Sequence, residues 1–329
     1  MLELRLLGSP QVKLDDKDLT SDVGSKSLAL VAFLALASPP LVPREKLAGT
    51  FWPDKSDDQS RYRLRHTLWE LGRLFGKDYV LSNEGKVWLN PDAQVRTDAL
   101  EFQLQARALG IGALNFSPSR DHIPTLTTLR DLYRGDFLLH LTVRESSLFE
   151  EWSLVERERL HLLYLDILWS LAQAQQSIQD YRGAAETLSR LIEADSLRER
   201  NYRALMLAYY YLDDKSSALR IHKKCSTVLA SELGLAPSPE TEQLRLLISQ
   251  GTLGSAQTDL DRASDLVRDK RFDEALSVCA ALDNRASDPF VVSQVALLRA
   301  EIALEQGRGA ESLDLVKAAR QSFARLFSR

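Results

Sequence analysis

The stretch SDDQSRYRLRHTLWELGRLFG, residues 56–76, decides how this sequence folds. Its apolar residues recur at helical spacing, and they are Leu64, Leu68, Leu71 and Phe75. A narrow apolar stripe of this kind is typical of a helix that packs on a small core. Ser56 suits the N-cap position, and Asp57 and Asp58 suit the positive end of the helix dipole. The pattern therefore predicts one amphipathic helix along the stretch.

The polar face of this predicted helix is basic. Residues 61–77 contain five basic residues and one acidic residue, Glu70. Guanidinium groups suit paired contacts to guanine edges and phosphates, and exposed aromatic rings suit thymine methyl groups. We interpret the face as a DNA recognition surface, although an ordinary Arg-rich surface helix explains this stretch alone equally well. Its residues are Arg61, Tyr62, Arg63, Arg65, His66, Trp69 and Arg73.

The flanking residues predict a winged helix-turn-helix with an additional N-terminal sheet. Strands are expected at residues 2–6, at 12–14 and near 19, two more helices at 24–37 and 42–52, and a hairpin at 79–82 and 86–89. The residues expected at base edges or adjacent phosphates are Arg63, Arg65 and His66. Arg61 and Arg73 are expected to bind phosphate. Lys86 in the hairpin is expected to enter the minor groove or touch its backbone. Arg44, beside the amides that begin its helix, is expected to add a phosphate contact.

Beyond the hairpin the pattern is helical to the last residue, Arg329. One helix is expected from residue 98, followed by a loop at 115–124 and a helix at 129–139. The small, polar run at 251–257 predicts a linker. A chain of 329 residues is long enough for two or three cores. The predicted domains are residues 1–97, 98–250 and 258–329.

An internal repeat occurs in the helical region. Pairs of residues recur 34 positions apart, and these are Asp180 with Asp214 and Ala184 with Ala218. Thirty-four residues is the tetratricopeptide period, in which small side chains let paired helices approach closely. Ala275 and Ala310 lie 35 positions apart and predict further hairpins of the same kind.

Taken together, these motifs resemble the Streptomyces antibiotic regulatory protein (SARP) family, in which an OmpR-type winged helix precedes a bacterial transcriptional activation domain. The matching segments are Leu6-Leu7-Gly8, Gly24-Ser25-Lys26, residues 42–47 with Trp52, the recognition stretch, and residues 85–89, 132–138, 149–160 and 232–241, ELGLAPSPET. Ser196 and Asp213 depart from the family's usual proline and glycine, but Asp tolerates the left-handed turn expected at 213. The resemblance implies binding to double-stranded DNA at promoter direct repeats, as a homodimer on DNA, with recruitment of RNA polymerase.

Net charge, cysteine spacing and missing motifs limit which other classes of protein this sequence fits. The net charge is −4, yet the basic stripe within residues 61–77 is compatible with weak DNA binding. Cys225 and Cys279 are isolated, and with the five histidines they show no metal-ligand spacing. The sequence contains no phosphate-binding glycine loop, signal peptide or membrane-spanning run. We therefore predict no enzyme activity, catalytic residue, cofactor, metal or membrane partner, and a cytoplasmic, nucleoid-associated location.

The sequence predicts a mainly α protein, with an N-terminal winged helix-turn-helix, a small β-sheet and a wing, followed by an all-α tetratricopeptide-like repeat domain. Its predicted function is that of a sequence-specific transcriptional activator. Two alternatives stay open. A tetratricopeptide adaptor whose winged helix binds protein would fail to bind genomic DNA. A ligand-sensing regulator with an effector in the repeat groove would respond to a small molecule.

Overall fold

The structure, a computed structural model, describes residues 1–113, 116–285 and 289–327. The chain forms two compact units, Met1–Ile178 and Gln179–Arg329. The predicted division into three domains stays a prediction. Asn115, where the predicted loop begins, and Arg329, where the predicted helical pattern ends, lie outside the described residues.

The winged helix-turn-helix lies in the first unit. Its elements in chain order are β1 (Leu2–Arg5), β2 (Gln11–Leu14), β3 (Lys17–Asp18), α1 (Ser25–Leu36), β4 (Val42–Pro43), α2 (Arg44–Phe51), α3 (Asp57–Phe75), β5 (Val80–Asn83), β6 (Lys86–Leu89) and β7 (Val95–Thr97). The strands form one sheet in the order β3-β2-β1-β7 and a second in the order β4-β6-β5. This arrangement confirms the predicted fold class. Strand β7, too short to be predicted from alternation, pairs parallel with β1, and Leu2 lies opposite Val95.

Burial on the helices follows their apolar patterns. Helix α1 is apolar on every face and is buried from Ser27 to Ala35, so it forms the centre of the core. Helix α2 buries Leu47 and Phe51, and the Phe51 ring lies edge-on to Phe33 of α1 with 5.9 Å between ring centroids. These two helices cover the apolar stripe of α3, which leaves its polar face at the surface.

The rest of the first unit is helical. Its helices are α4 (Asp98–Leu109), α5 (Ile123–Leu132) and α6 (Ser147–Ser177), with a 3-10 turn at Arg120–His122. The helix predicted at 129–139 is wrong beyond Leu132. Gly135 and Leu138 take positive φ values of 153° and 52°, which lie outside the helical region. The chain after α5 therefore turns away and runs beside the residues that follow β1.

Two motifs that carry the family resemblance meet at this place. The Gly8 N–H donates to the Asp136 carbonyl at 3.0 Å, and the Leu138 N–H donates to the Leu6 carbonyl at 2.8 Å. A Cβ atom on Gly135 would lie 3.3 Å from the Gly8 Cα, so the close approach favours glycine. One buried apolar cluster continues from β1 to the last turns of α6. The winged helix and α4–α6 therefore share one core.

The Asp98 carboxylate holds the same junction together. It is buried at the start of α4 and accepts hydrogen bonds from the Leu6 N–H at 2.6 Å and the Leu7 N–H at 3.1 Å. The Arg134 guanidinium donates to it at 2.8 Å. The Ala99 N–H also donates to it at 2.8 Å. Three backbone amides and one cation thus converge on a buried carboxylate, which links the end of β1, α4 and the chain after α5.

The described part of the second unit is helical throughout. Its helices are α7 (Tyr181–Ala194), α8 (Glu199–Tyr211), α9 (Lys215–Leu233), α10 (Pro239–Gln250), α11 (Thr252–Arg268), α12 (Phe272–Arg285), α13 (Pro289–Glu305) and α14 (Gly309–Phe327). Asp180 and Asp214 cap α7 and α9, each accepting from an amide three residues on, at 3.0 and 2.8 Å. Ala184 and Ala218 are fully buried, which confirms the 34-residue repeat. Asp213 takes the expected left-handed conformation, with φ 58°.

Two predictions about this unit are corrected. Residues 251–257 are not a linker, because α11 begins at Thr252, directly after the left-handed Gly251 that ends α10. Ala275 is buried, but Ala310 is exposed on the first turn of α14. Ala275 and Ala310 therefore both lie near the start of a helix, but only Ala275 packs in a core.

The ELGLAPSPET string joins α9 to α10. Gly234 ends α9 in the left-handed conformation with φ 66°, and Pro239 begins α10 after Ser238. The Glu199 carboxylate at the start of α8 accepts hydrogen bonds from the Ser238 N–H at 2.9 Å and the Thr241 hydroxyl at 2.6 Å. The string thus fixes α10 against α8.

Candidate nucleic-acid interface

Helix α3 presents its basic face to solvent. Leu64, Leu71 and Phe75 are buried as predicted, and they determine the rotation of the helix on the core. Ser56 occupies the N-cap position, although its side chain makes no capping bond, and Gly76 ends the helix with φ 99°. The opposite face is consequently accessible along the length of the helix.

The nine residues predicted to contact DNA lie on α3, on the wing or at the start of α2. Eight are exposed, namely Arg61, Tyr62, Arg63, Arg65, His66, Trp69, Arg73 and Lys86, whereas Arg44 is half-buried. The aromatic rings contribute much of this surface, because 64% of Tyr62 and 59% of Trp69 is exposed. The Arg73 guanidinium lies over the Trp69 ring, 5.3 Å from its centroid. Helix α3 thus presents a mixed cationic and aromatic surface.

Nearby carboxylates divide the basic side chains into two groups. Arg61 lies 3.5 Å from Glu45, and the His66 ring lies 3.6 Å from the Glu70 carboxylate. Within the described chain, the side chains of Arg63 and Arg65 have neither a hydrogen bond nor an ion pair. Guanidinium groups without an acidic partner are the most available to phosphates and base edges. The two arginines expected at base edges are therefore open to a ligand.

The wing is the β5–β6 hairpin, and Lys86 is exposed at the start of β6. Arg44 binds the wing in two ways. Its guanidinium donates to the Ser82 hydroxyl at 2.6 Å, and its backbone N–H donates to the Gly85 carbonyl at 2.8 Å. One of the helix-start amides expected to support a phosphate contact, that of Arg44 itself, is therefore already bonded, and Arg44 also anchors the wing to α2.

A groove of about 860 Å³ runs along the N-terminal half of α3. Its walls include Lys26, Trp52, Lys55, Asp58, Tyr62 and Arg63. Lys26 and Lys55 were not predicted as site residues. Lys26 lies in the first turn of α1 and Lys55 in the turn before α3, and neither position carries a local signal of ligand binding. Only the fold brings them beside Arg63.

Electrostatics inside the groove favour an anion. Burial is the main cause that lowers the pKa of Lys26; Glu145 opposes the shift, and the charges of Arg63 and Lys55 add to it. The Lys26 ammonium donates to the Phe51 carbonyl at 3.1 Å. The groove therefore holds several like charges close together, an arrangement that a negatively charged ligand stabilises.

Other chemistry has little support in the described residues. Across residues 1–113, 116–285 and 289–327 no three metal-ligating side chains cluster. Cys225 is buried, and burial raises the pKa of its thiol to about 12, which opposes nucleophilic chemistry. His222, on the same helix, lies 2.7 Å from the Glu242 carboxylate. In the described chain no helix is both long and apolar enough to cross a membrane.

Comparison with known proteins matches residues 97–249 to the bacterial transcriptional activator domain family. The regulatory protein AfsR of Streptomyces griseus is 24% identical over 251 residues, which make up 75% of this chain and 24% of AfsR. The chain therefore spans about a quarter of the length of that relative. Mycobacterium tuberculosis EmbR, solved in complex with a low-affinity phosphopeptide, has a similar fold, with a TM-score of 0.57 and 20% identity. That match covers 80% of this chain and 71% of EmbR.

Proposed function

We propose that the chain is a sequence-specific DNA-binding activator of transcription of the SARP family, which the match over residues 97–249 and the similarity to AfsR support. The proposal rests mainly on the exposed face of α3, where Arg63 and Arg65 have no ion-pair partner in the described chain. In a helix-turn-helix the recognition helix lies in the major groove. There an arginine side chain donates two hydrogen bonds to the O6 and N7 atoms of guanine.

The proposed contacts are of two kinds. Some read the bases, and others position the protein on the duplex. The residues that reach base edges or adjacent phosphates are Arg63, Arg65 and His66, and the residues that bind phosphate are Arg44, Arg61 and Arg73. Lys86 enters the minor groove or touches its backbone, and Tyr62 and Trp69 contact thymine methyl groups or sugars. Sequence preference comes from the first group. The second group fixes the register of the helix on the duplex, and it makes the affinity depend on salt.

We also propose the cellular context of this activity. Two protomers bind side by side on promoter direct repeats in the cytoplasm, at the nucleoid, and the activator domain recruits RNA polymerase. DNA binding is assigned to residues 1–97 and activation to residues 98–250, with residues 258–329 as further repeats. The family match over residues 97–249 supports the activation role.

The experiment that tests this function is selection of bound fragments from fragmented host DNA by the full chain. We expect the wild type to enrich a repeated motif and the Arg63→Ala/Arg65→Ala variant to lose it. Each base-reading arginine contributes about 1–3 kcal/mol of discrimination, so removing both abolishes selection. The matched control is Arg107→Ala/Arg190→Ala, which removes two exposed arginines from other helices.

The control variant is expected to select the same motif as the wild type. Circular dichroism shows whether each variant is folded. A folded wild type that enriches no sequence would refute DNA recognition and favour the adaptor alternative. A partner protein would then be sought with the full chain.

A further inference from the structure

Building on the function proposed above, we propose that Lys26, Lys55 and Arg63 form a further binding site for a DNA backbone phosphate. We also propose that Glu145 competes with this phosphate for Lys55. The ligand class is a phosphodiester beside the recognition helix. Glu145 lies within the matched activator domain, so the competition couples that domain to DNA affinity.

The three cations come from separate elements and meet in one groove. Lys26 belongs to α1, Lys55 to the turn before α3, and Arg63 to α3 itself. Asp58 is the one carboxylate among the described residues that line the groove, so its wall keeps a positive excess. Cations held together repel one another, and a phosphate that enters the groove relieves this repulsion.

Lys26 is held in position before any ligand binds. Its ammonium donates to the Phe51 carbonyl at 3.1 Å and lies 5.2 Å from the centroid of the Trp52 ring. A side chain that is already ordered loses less conformational freedom when it binds an anion. The groove therefore offers one fixed cation and two on its rim.

Glu145 faces the same three cations. Its carboxylate lies 3.3 Å from the Lys55 ammonium, and 58% of the Glu145 side chain is exposed, against 28% of Lys55. The hydrogen bond and charge of Lys55 are the main causes that hold the pKa of Glu145 below its usual value. Lys26 and Arg63 act in the same direction. The carboxylate is thus placed as a competing anion at the edge of the groove.

The backbone fixes Glu145 at this edge. The residue that follows it, Ser146, is buried and donates to the Phe51 carbonyl at 2.8 Å, which is the carbonyl that Lys26 also binds. Further along, the Phe149 ring stacks on the Phe51 ring with 5.0 Å between centroids. The segment before α6 is consequently anchored to α2, and a phosphate on Lys55 has to displace the Glu145 carboxylate.

A double-mutant cycle on the full chain tests the competition. Affinity is measured by fluorescence anisotropy with a labelled mixed-sequence duplex of about 30 base pairs, roughly three helical turns, between about 50 and 200 mM salt. We expect Glu145→Gln to bind about two- to fivefold tighter, the range that release of an exposed ion pair allows. Lys55→Ala is expected to bind more weakly, with a salt slope smaller by about one unit. In the Lys55→Ala background, Glu145→Gln is expected to lose most of its effect.

Two further variants make the outcome decisive. Glu158→Gln removes an exposed carboxylate from α6 and controls for the change in net charge. Equal tightening by Glu158→Gln would overturn the competition, because any lost acid would then suffice. Unchanged affinity of Glu145→Gln, while Arg65→Ala still weakens selection of the repeated motif, would overturn the competition and leave the proposed function standing. Absence of binding by every protein, wild type included, would overturn both.

Discussion

Replacing Asp98 by alanine removes the acceptor that the Leu6 and Leu7 amides share with the Arg134 guanidinium. Each buried amide that loses its partner destabilises the fold by about 1–3 kcal/mol. The Arg134 side chain is 37% exposed, so water replaces part of its lost bond. We therefore expect the free energy of unfolding of the first unit to fall by about 3–5 kcal/mol. Asp98→Asn keeps an acceptor for one amide, and we expect it to lose about half as much.

Urea unfolding followed by tryptophan fluorescence measures this change. All five tryptophans lie within residues 1–178, so their fluorescence reports on the first unit alone. The control is Asp92→Ala, an exposed aspartate on the preceding turn, which is expected to stay within about 0.5 kcal/mol of the wild type. A loss below about 1 kcal/mol for Asp98→Ala would show that the junction does not depend on this carboxylate.

Two other predictions concern the second unit. Burial raises the pKa of Glu199, but hydrogen bonds from Thr241 and Ser238 and the charge of Arg203 outweigh it, so the pKa lies below 4.5. The stability that Glu199 contributes is complete above pH 4.5 and is lost as the pH falls through the lowered pKa. Urea midpoints from circular dichroism should therefore fall more steeply with acid in the wild type than in Glu199→Gln, and equal slopes would contradict this. Because burial raises the pKa of Cys225 to about 12, iodoacetamide should modify this thiol only after unfolding, and rapid labelling of the native protein would contradict the expectation.

Local sequence pattern was sufficient to predict helix α3 and its buried face. The apolar spacing of α3 determines which face packs on α1 and α2, and that choice also determines which arginines are exposed. The hairpin predicted at 79–82 and 86–89 is present as β5 and β6, with Glu84 and Gly85 between the two short strands. Eight of the nine predicted site residues are exposed for these local reasons, while their contacts with DNA stay a prediction.

Contacts between distant residues account for what the sequence did not predict. Arg44 reaches Ser82 across 38 positions, and this bond gives it an anchoring position in the structure. Lys26 and Lys55 acquire a role only because α1 and the turn before α3 meet. Strand β7 has three residues, too few for an alternating pattern, and it is defined by its pairing with β1. The linker predicted at 251–257 failed for the opposite reason, because small polar residues that favour turns have only a weak preference against a helix, and α11 begins at Thr252.

Because the winged helix and α4–α6 share one core, the winged helix can complete its fold only after α6 has been synthesised. Ribosomes add about 5–20 residues per second, so α3 leaves the ribosome several seconds before α6 is complete. During that interval the partners of Leu6, Gly8 and Phe51 have not been synthesised, and α3 has no finished core to hold it. We therefore expect the nascent chain to be unable to occupy an operator until its activator segment has been translated. A promoter would then meet only regulators that already carry the segment needed to activate it.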